Sequence, residues 1–182
     1  MAIEEMNSDT PVQQLIKQFG LLPHPEGGHY RETYRGLMSV KAPAGHRAAS
    51  TAIYYLLEAD DYSAWHRIAS DELWHFYAGS ALNIYVLDPA NGLSVIRLGN
   101  PFTEAGCVFQ AVVPAGLWFA AEPVSRAQGA QENGVGAGFA LVGCTVAPGF
   151  EFSEFELADS GALIGRYPEH AELIRRLAPV QR

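Results

Sequence analysis

The sequence predicts an all-β antiparallel sandwich or barrel with one short helix at each end. Two observations carry this. Nine β-branched and aromatic runs follow one another at tight spacing, separated by turn residues and not by helical patterns. Amphipathic helical periodicity appears near the two ends of the chain.

The first helix has Thr10 or Asp9 as its cap, Pro11 in its first turn and Gly20 as its C-cap. Val12, Leu15, Ile16 and Phe19 fall on one face. Strands are expected over 51–57, 63–68, 72–78, 81–87, 93–99, 107–113, 117–121, 138–147 and 153–157. A further strand alternates Tyr30, Glu32 and Tyr34 against His29, Arg31, Thr33 and Arg35. The last helix opens after Pro168 with Glu169 in its first turn, and Leu173, Ile174 and Leu177 make its apolar stripe. Residues 128–138, rich in Gly, Ala, Gln and Asn, read as a loop.

At 182 residues and 48% hydrophobic, the chain is expected to form one domain over 1–182, with its core at about 21–165. Only 18% of residues are charged, and 20 Asp plus Glu outweigh 12 Lys plus Arg, for a net charge of −8. That balance repels phosphate backbones, so no nucleic-acid partner is expected. No stretch approaches the roughly 18 apolar residues of a membrane span. The N-terminal MAIEEMNSDT lacks an apolar signal core, and Cys107 and Cys144 read as buried small hydrophobes. A cytoplasmic location is the expectation.

Signatures of a serine nucleophile elbow, a zinc-protease helix, a P-loop and a C-x-x-C pair are absent from the sequence. The cluster Gly134, Gly136, Gly138 lacks dinucleotide spacing. Glu72 and His75 mimic a helical metal pair, but in a strand positions three apart face opposite sides. His66 and Glu72 flank a turn and can share an inward face, which suits a general base oriented by a carboxylate. Glu72 needs a partner such as His66 or Arg67 if buried.

The stretch from His66 through Glu72 to Gly79 resembles the first motif of the cupins, and Pro114–Phe119 resembles the second. Ile68 and Phe119 stand where metal-binding cupins carry imidazoles, leaving two of the usual four ligand positions, so no metal and no other cofactor is expected. More of the chain, namely 22–35, Thr51–Leu57, Ser63–Phe76, Val113–Ala120 and Val142–Phe152, is similar to cupin family five. The resemblance implies a cupin-type double-stranded β-helix (jelly roll), paired as a homodimer, with no established reaction.

His24 and Glu26 lie in a turn whose Gly27-Gly28 would suit either a ligand-lining loop or an ordinary turn. Tyr30 and Arg31 are candidate substrate contacts at the rim, suited to a polar and even anionic small ligand. Trp74 and Phe119 share parity with the pocket positions and could stack on a ring. Two functional classes fit. One is a metal-independent isomerase or epimerase acting on a carbohydrate-like or other small polar substrate, with His66 as base and Glu72 beside it. The other is a non-catalytic cupin that holds a small-molecule ligand.

Overall fold

The computed structural model describes residues 9–43, 45–124 and 138–180. The expected loop at 128–138 lies, except for Gly138, outside them, as does most of MAIEEMNSDT.

Helix α1 (Pro11–Phe19) begins with the expected cap. Thr10 Oγ1 accepts from Gln13 N–H, the Gln13 side chain accepts from Thr10 N–H, and Gly20 closes the helix in the left-handed conformation. Strands β1 (Leu22–Pro23), β2 (His29–Arg35), β3 (Ser39–Ala42), β4 (Gly45–Ala48) and β5 (Thr51–Glu58) follow. Then come β6 (Ser63–Arg67), β7 (Asp71–Gly79), β8 (Leu82–Asp88), β9 (Gly92–Leu98) and β10 (Gln110–Val113). Strands β11 (Trp118–Pro123), β12 (Phe139–Ala147) and β13 (Glu156–Leu157) precede helices α2 (Ser160–Arg166) and α3 (Ala171–Arg176).

The strands make two antiparallel sheets, in the orders β1-β2-β5-β12-β7-β10 and β13-β6-β11-β8-β9, with β3 and β4 as a separate hairpin. The jelly roll is therefore as expected. Its central core lies between the sheets, where Tyr55, Leu57, Trp74, Ile84, Phe119 and Val142 pack together. The terminal helices close two smaller clusters. Val12 of α1 joins Leu56 and Leu141, while Ile174 and Leu177 of the C-terminal segment join Trp65 and Leu87.

The structure departs from the sequence reading in several elements. The run at 153–157 is a single 3-10 turn (Phe152–Glu154) followed by the two-residue β13, because its aromatics line a cavity and do not pair in a ladder. Within 107–113, only Gln110–Val113 forms a strand. The last helix opens with a 3-10 turn, Pro168–His170, before α3. Helix α2 lacks a strong sequence signal because two glycines dilute it, yet Asp159 caps it and Leu163 buries against the core.

Candidate active site

The site starts from a turn that only glycine permits. Residues 24–28 link β1 to β2, closed by bonds from His24 N–H to Gly28 O and from Gly27 N–H to His24 O. Gly27 has φ 118°, and a Cβ there would lie 2.1 Å from Tyr62 O. Seating that backbone against β6 drives Glu26 inward, where it is 8% exposed. Ala64 N–H donates to Glu26 O at 2.8 Å and fixes the approach.

The buried Glu26 carboxylate is met from three sides. Ser63 Oγ donates to Oε1 at 3.0 Å, His66 Nε2 lies 3.2 Å from Oε2, and His24 Nδ1 lies 3.5 Å from the same oxygen. Burial pushes the Glu26 carboxyl up, but His66, His24, Ser63 and Tyr55 together hold it below the usual carboxylate range. His24 is shifted down, chiefly by burial and against the pull of Glu26, so its imidazole is neutral. Its Nδ1 accepts from Glu26 N–H at 3.3 Å, which places the ring proton on Nε2.

Both nitrogens of His66 are engaged. Nδ1 donates to Ala64 O at 2.7 Å, leaving Nε2 toward Glu26. A hydrogen bond at 3.2 Å then needs one proton between Nε2 and Oε2. The expectation that Glu72 orients His66 is corrected here: β6 and β7 belong to different sheets, so the two side chains enter one cavity from opposite layers. Among the described residues, Glu72 has no basic side chain within ion-pair distance, neither His66 nor Arg67. Burial, and next the negative charge of Glu26, raise the Glu72 carboxyl to about 8. At neutral pH it is a carboxylic acid.

These groups line a cavity of about 130 Å³ together with Tyr30, Thr51, Ile53, Ile68, Cys144 and Val146. Its outer wall is the segment 148–157. Phe150 N–H donates to Thr51 Oγ1 at 2.9 Å on one sheet, and β13 pairs with β6 on the other. Phe150, Phe152 and Phe155 face the cavity, with the Phe155 ring 5.9 Å from that of His24 and 5.4 Å from that of His66. Burial also raises the Cys144 thiol well above its usual value, so it stays protonated.

Of the expected contacts, Tyr30 lines the cavity, edge-on to His24 with centroids 4.6 Å apart. Ile68 lines it as well, at a position where a metal-binding cupin would have a ligand. Arg31 does not reach the rim: its guanidinium points outward and donates to Gly20 O at 3.3 Å. Trp74 is fully buried in the central core between Tyr55 and Phe119 and is not on the cavity wall. Phe119 points into the central core beside His66 on the same sheet, with ring centroids 4.0 Å apart, and does not line the cavity.

The arginine at the rim is Arg35. A register shift between Glu32 and Tyr34 breaks the alternation of β2 and turns Arg35 inward. It is neutralised there, bidentate to Glu32 at 3.0 and 2.8 Å and bonded to Glu151 at 2.7 Å. Among the described residues, the rim therefore offers no free cation to an anionic ligand. Glu26, His24, Arg35 and the three phenylalanines are missing from the expected contact set. The signals were the PHPEGG turn and the P-G-F-x-F stretch.

Comparison with known proteins agrees with this architecture. The chain is 33% identical to a hypothetical protein from Leishmania major, covering 94% of this chain and 100% of that one with a TM-score of 0.82. Protein SO0799 from Shewanella oneidensis is 36% identical over 92% of this chain and 97% of its own, with a TM-score of 0.77. The yeast (Saccharomyces cerevisiae) uncharacterized protein YML079W is 28% identical across 79% of this chain and 73% of its own length. Oxalate decarboxylase from Bacillus subtilis, at 14% identity over 87% of this chain and 37% of that one and a TM-score of 0.50, shares the fold alone. The family model described as "Cupin superfamily (DUF985)" matches residues 13–158, and the chain belongs to that family.

Proposed function

We propose that the cavity binds a small, uncharged polar molecule and moves a proton on it without a metal, as an isomerase or epimerase does. The observation that carries this reading is one cavity with two carboxyl groups held in opposite states. His66 and the Ser63 hydroxyl hold the Glu26 carboxyl down, while burial pushes the Glu72 carboxyl up. Environments that push two carboxyls apart in this way separate a base from an acid.

In this reading the Glu26–His66 pair is the base, with the proton landing on a Glu26 oxygen, because both His66 nitrogens are already bonded. Glu26 takes a proton from carbon next to a carbonyl. The C–H electron pair becomes a carbon–carbon double bond, the carbonyl π pair moves to its oxygen, and that oxygen takes the Glu72 proton. Glu26 then gives its proton to the former carbonyl carbon, while the neighbouring hydroxyl passes its proton to Glu72 and its oxygen becomes the new carbonyl, so an isomer forms and both carboxyls return to their starting states. His66, 3.2 Å from Oε2, holds the Glu26 carboxylate in orientation. The neutralised Arg35 favours an uncharged substrate, and the aromatic wall suits its C–H face. The homodimer belongs to the same reading, supported by Tyr54 and Tyr77 on the outer face of the six-stranded sheet, centroids 5.8 Å apart.

The test is carbon-bound hydrogen exchange in D2O, followed by proton NMR with a panel of small hydroxy-aldehydes and hydroxy-ketones. Enzyme-dependent exchange that falls by about 10²–10⁴ in Glu72→Gln, with binding retained, supports the proposal. Saturable binding without exchange for any member identifies a non-catalytic binder instead.

A further inference from the structure

We propose that His29, Glu58 and Asp61 form a binding site for a first-row divalent metal ion, outside the cavity. One ligand atom from each lies within 4.8 Å of the other two. None of the three lines the cavity.

The fold brings them together in a simple way. His29 opens β2 opposite Leu56 of β5, and Glu58 lies two residues beyond Leu56, on the same face. Asp61 closes the turn after β5: its N–H donates to Glu58 O at 3.0 Å, and its Oδ2 accepts from Glu58 N–H at 3.2 Å. Two carboxylates are thus held beside one imidazole. Among the described residues, neither carboxylate has a Lys or Arg ion-pair partner.

A second observation is independent of the carboxylates. His29 Nδ1 is shut off from solvent and has no hydrogen-bond partner. A buried ring nitrogen left unpaired is costly, and a metal ion is one of the few partners that satisfies it. One imidazole with two carboxylates suits zinc, manganese or cobalt better than calcium or magnesium, which favour all-oxygen shells. Water would fill the remaining positions.

The ion would tie the start of β2 to the β5–β6 turn. These segments run directly into the residues that seat Glu26: Gly28 on one side, Tyr62 and Ser63 on the other. The site would brace the cavity without touching a ligand in it.

The test uses the full chain, stripped with chelator, titrated with Zn2+ by calorimetry and with Co2+ by visible absorption. One Zn2+ per chain is expected, with Ca2+ and Mg2+ failing to compete at equal concentration. His29→Ala and Glu58→Gln should each weaken Zn2+ binding by about tenfold or more. Glu26→Gln should leave it unchanged. Absence of stoichiometric binding at micromolar Zn2+ overturns the proposal, as does binding that survives both ligand substitutions. Binding lost in Glu26→Gln would place the ion in the cavity and overturn it equally. Glu58 is exposed, so its variant tests the site without disturbing the core.

Discussion

Glu26 Oε2 lies 3.2 Å from His66 Nε2, inside a protein that gives the two residues 8% and 2% exposure. They come from different parts of the sequence, one from a glycine-dependent turn and one from β6. Their pairing converts two side chains that would each be costly to bury into a satisfied unit. With Nδ1 already bonded to Ala64 O, it occupies the second nitrogen of the histidine. The proton-accepting atom that remains available to the cavity is a carboxylate oxygen.

Replacing Glu26 with Gln keeps the shape and removes the charge. His66 and Ser63 then lose a charged acceptor while burial stays the same. The expected loss is about 1–3 kcal/mol of stability, read from urea unfolding. Hydrogen exchange on any substrate should stop in the same variant. Unchanged stability would mean that the carboxylate is not the anion this account requires.

Glu72 sets the alkaline side. Its folded-state value of about 8 lies above the unfolded 4.5, so the unfolded chain releases its proton first. The stability this group contributes is fully present below 4.5 and is lost as pH rises through about 8. Glu72→Gln should therefore have a higher Tm than the parent protein at pH 9 and a similar one at pH 4. At about 2–4 °C per kcal/mol for a chain of this size, the gap is within easy reach of calorimetry. The proposed activity should fall above about pH 8, as the acid loses its proton.

Glu26 and His24 set the acid side, with the opposite sign. The carboxyl of Glu26 is held below its unfolded value, so its contribution is present above 4.5 and fades as pH falls through the lower folded value. His24, lowered by burial, contributes above 6.5 and loses that contribution as pH falls through its own folded value. Acid unfolding should accordingly begin below neutrality and be shallower in Glu26→Gln. An equally steep fall in Tm below pH 4.5 for Glu26→Gln and the parent protein would contradict the Glu26 assignment.

Most strands of the two sheets and the two flanking helices were legible because their signals are local, while β1 and the β3–β4 hairpin were not. The β-branched and aromatic run Thr51–Leu57 and the Thr10 cap are set by residues a few positions apart. His66, Glu72 and Tyr30 were legible as inward-facing for the same reason. What was not legible depends on contacts between sheets or on one irregular residue. The His66–Glu26 pairing joins two sheets. Arg35, which the alternation of β2 would send to the other face from Tyr30, is turned inward by a single bulge. Arg31 is drawn outward by the end of α1.

Pairing of two chains is expected in solution. The outer face of the six-stranded sheet leaves Tyr77 51% and Val112 48% exposed beside Tyr54. Two such faces together would bury their aromatic rings. Sedimentation should give twice the 19.8 kDa chain mass at micromolar concentration, and Tyr77→Arg should shift it toward one chain. A single-chain mass for the parent protein would rule this out.

The last prediction separates two arginines that hold the same cavity wall. Arg47 is 7% exposed and pairs with Glu154, while a second contact reaches Ser70 Oγ at 3.2 Å. Arg35, with a side chain 40% exposed, pairs with Glu32 and Glu151 at the rim. Chemically the two pairs look alike, but burial makes them unequal. Truncating Arg47 to Ala leaves a mostly buried carboxylate without its cation, which costs about 3–5 kcal/mol. Truncating Arg35 frees two carboxylates into water and costs about 1 kcal/mol or less. The larger loss should be local as well as global, because Glu154 sits in the 3-10 turn between Phe152 and Phe155. Amide exchange across 150–157 should therefore speed up strongly in Arg47→Ala and little in Arg35→Ala. Ligand binding should follow the opposite order: Arg35→Ala exposes Glu32 and Glu151 as free anions at the mouth and should draw cationic ligands in. Equal exchange in the two variants would mean that the wall is held by its phenylalanines alone.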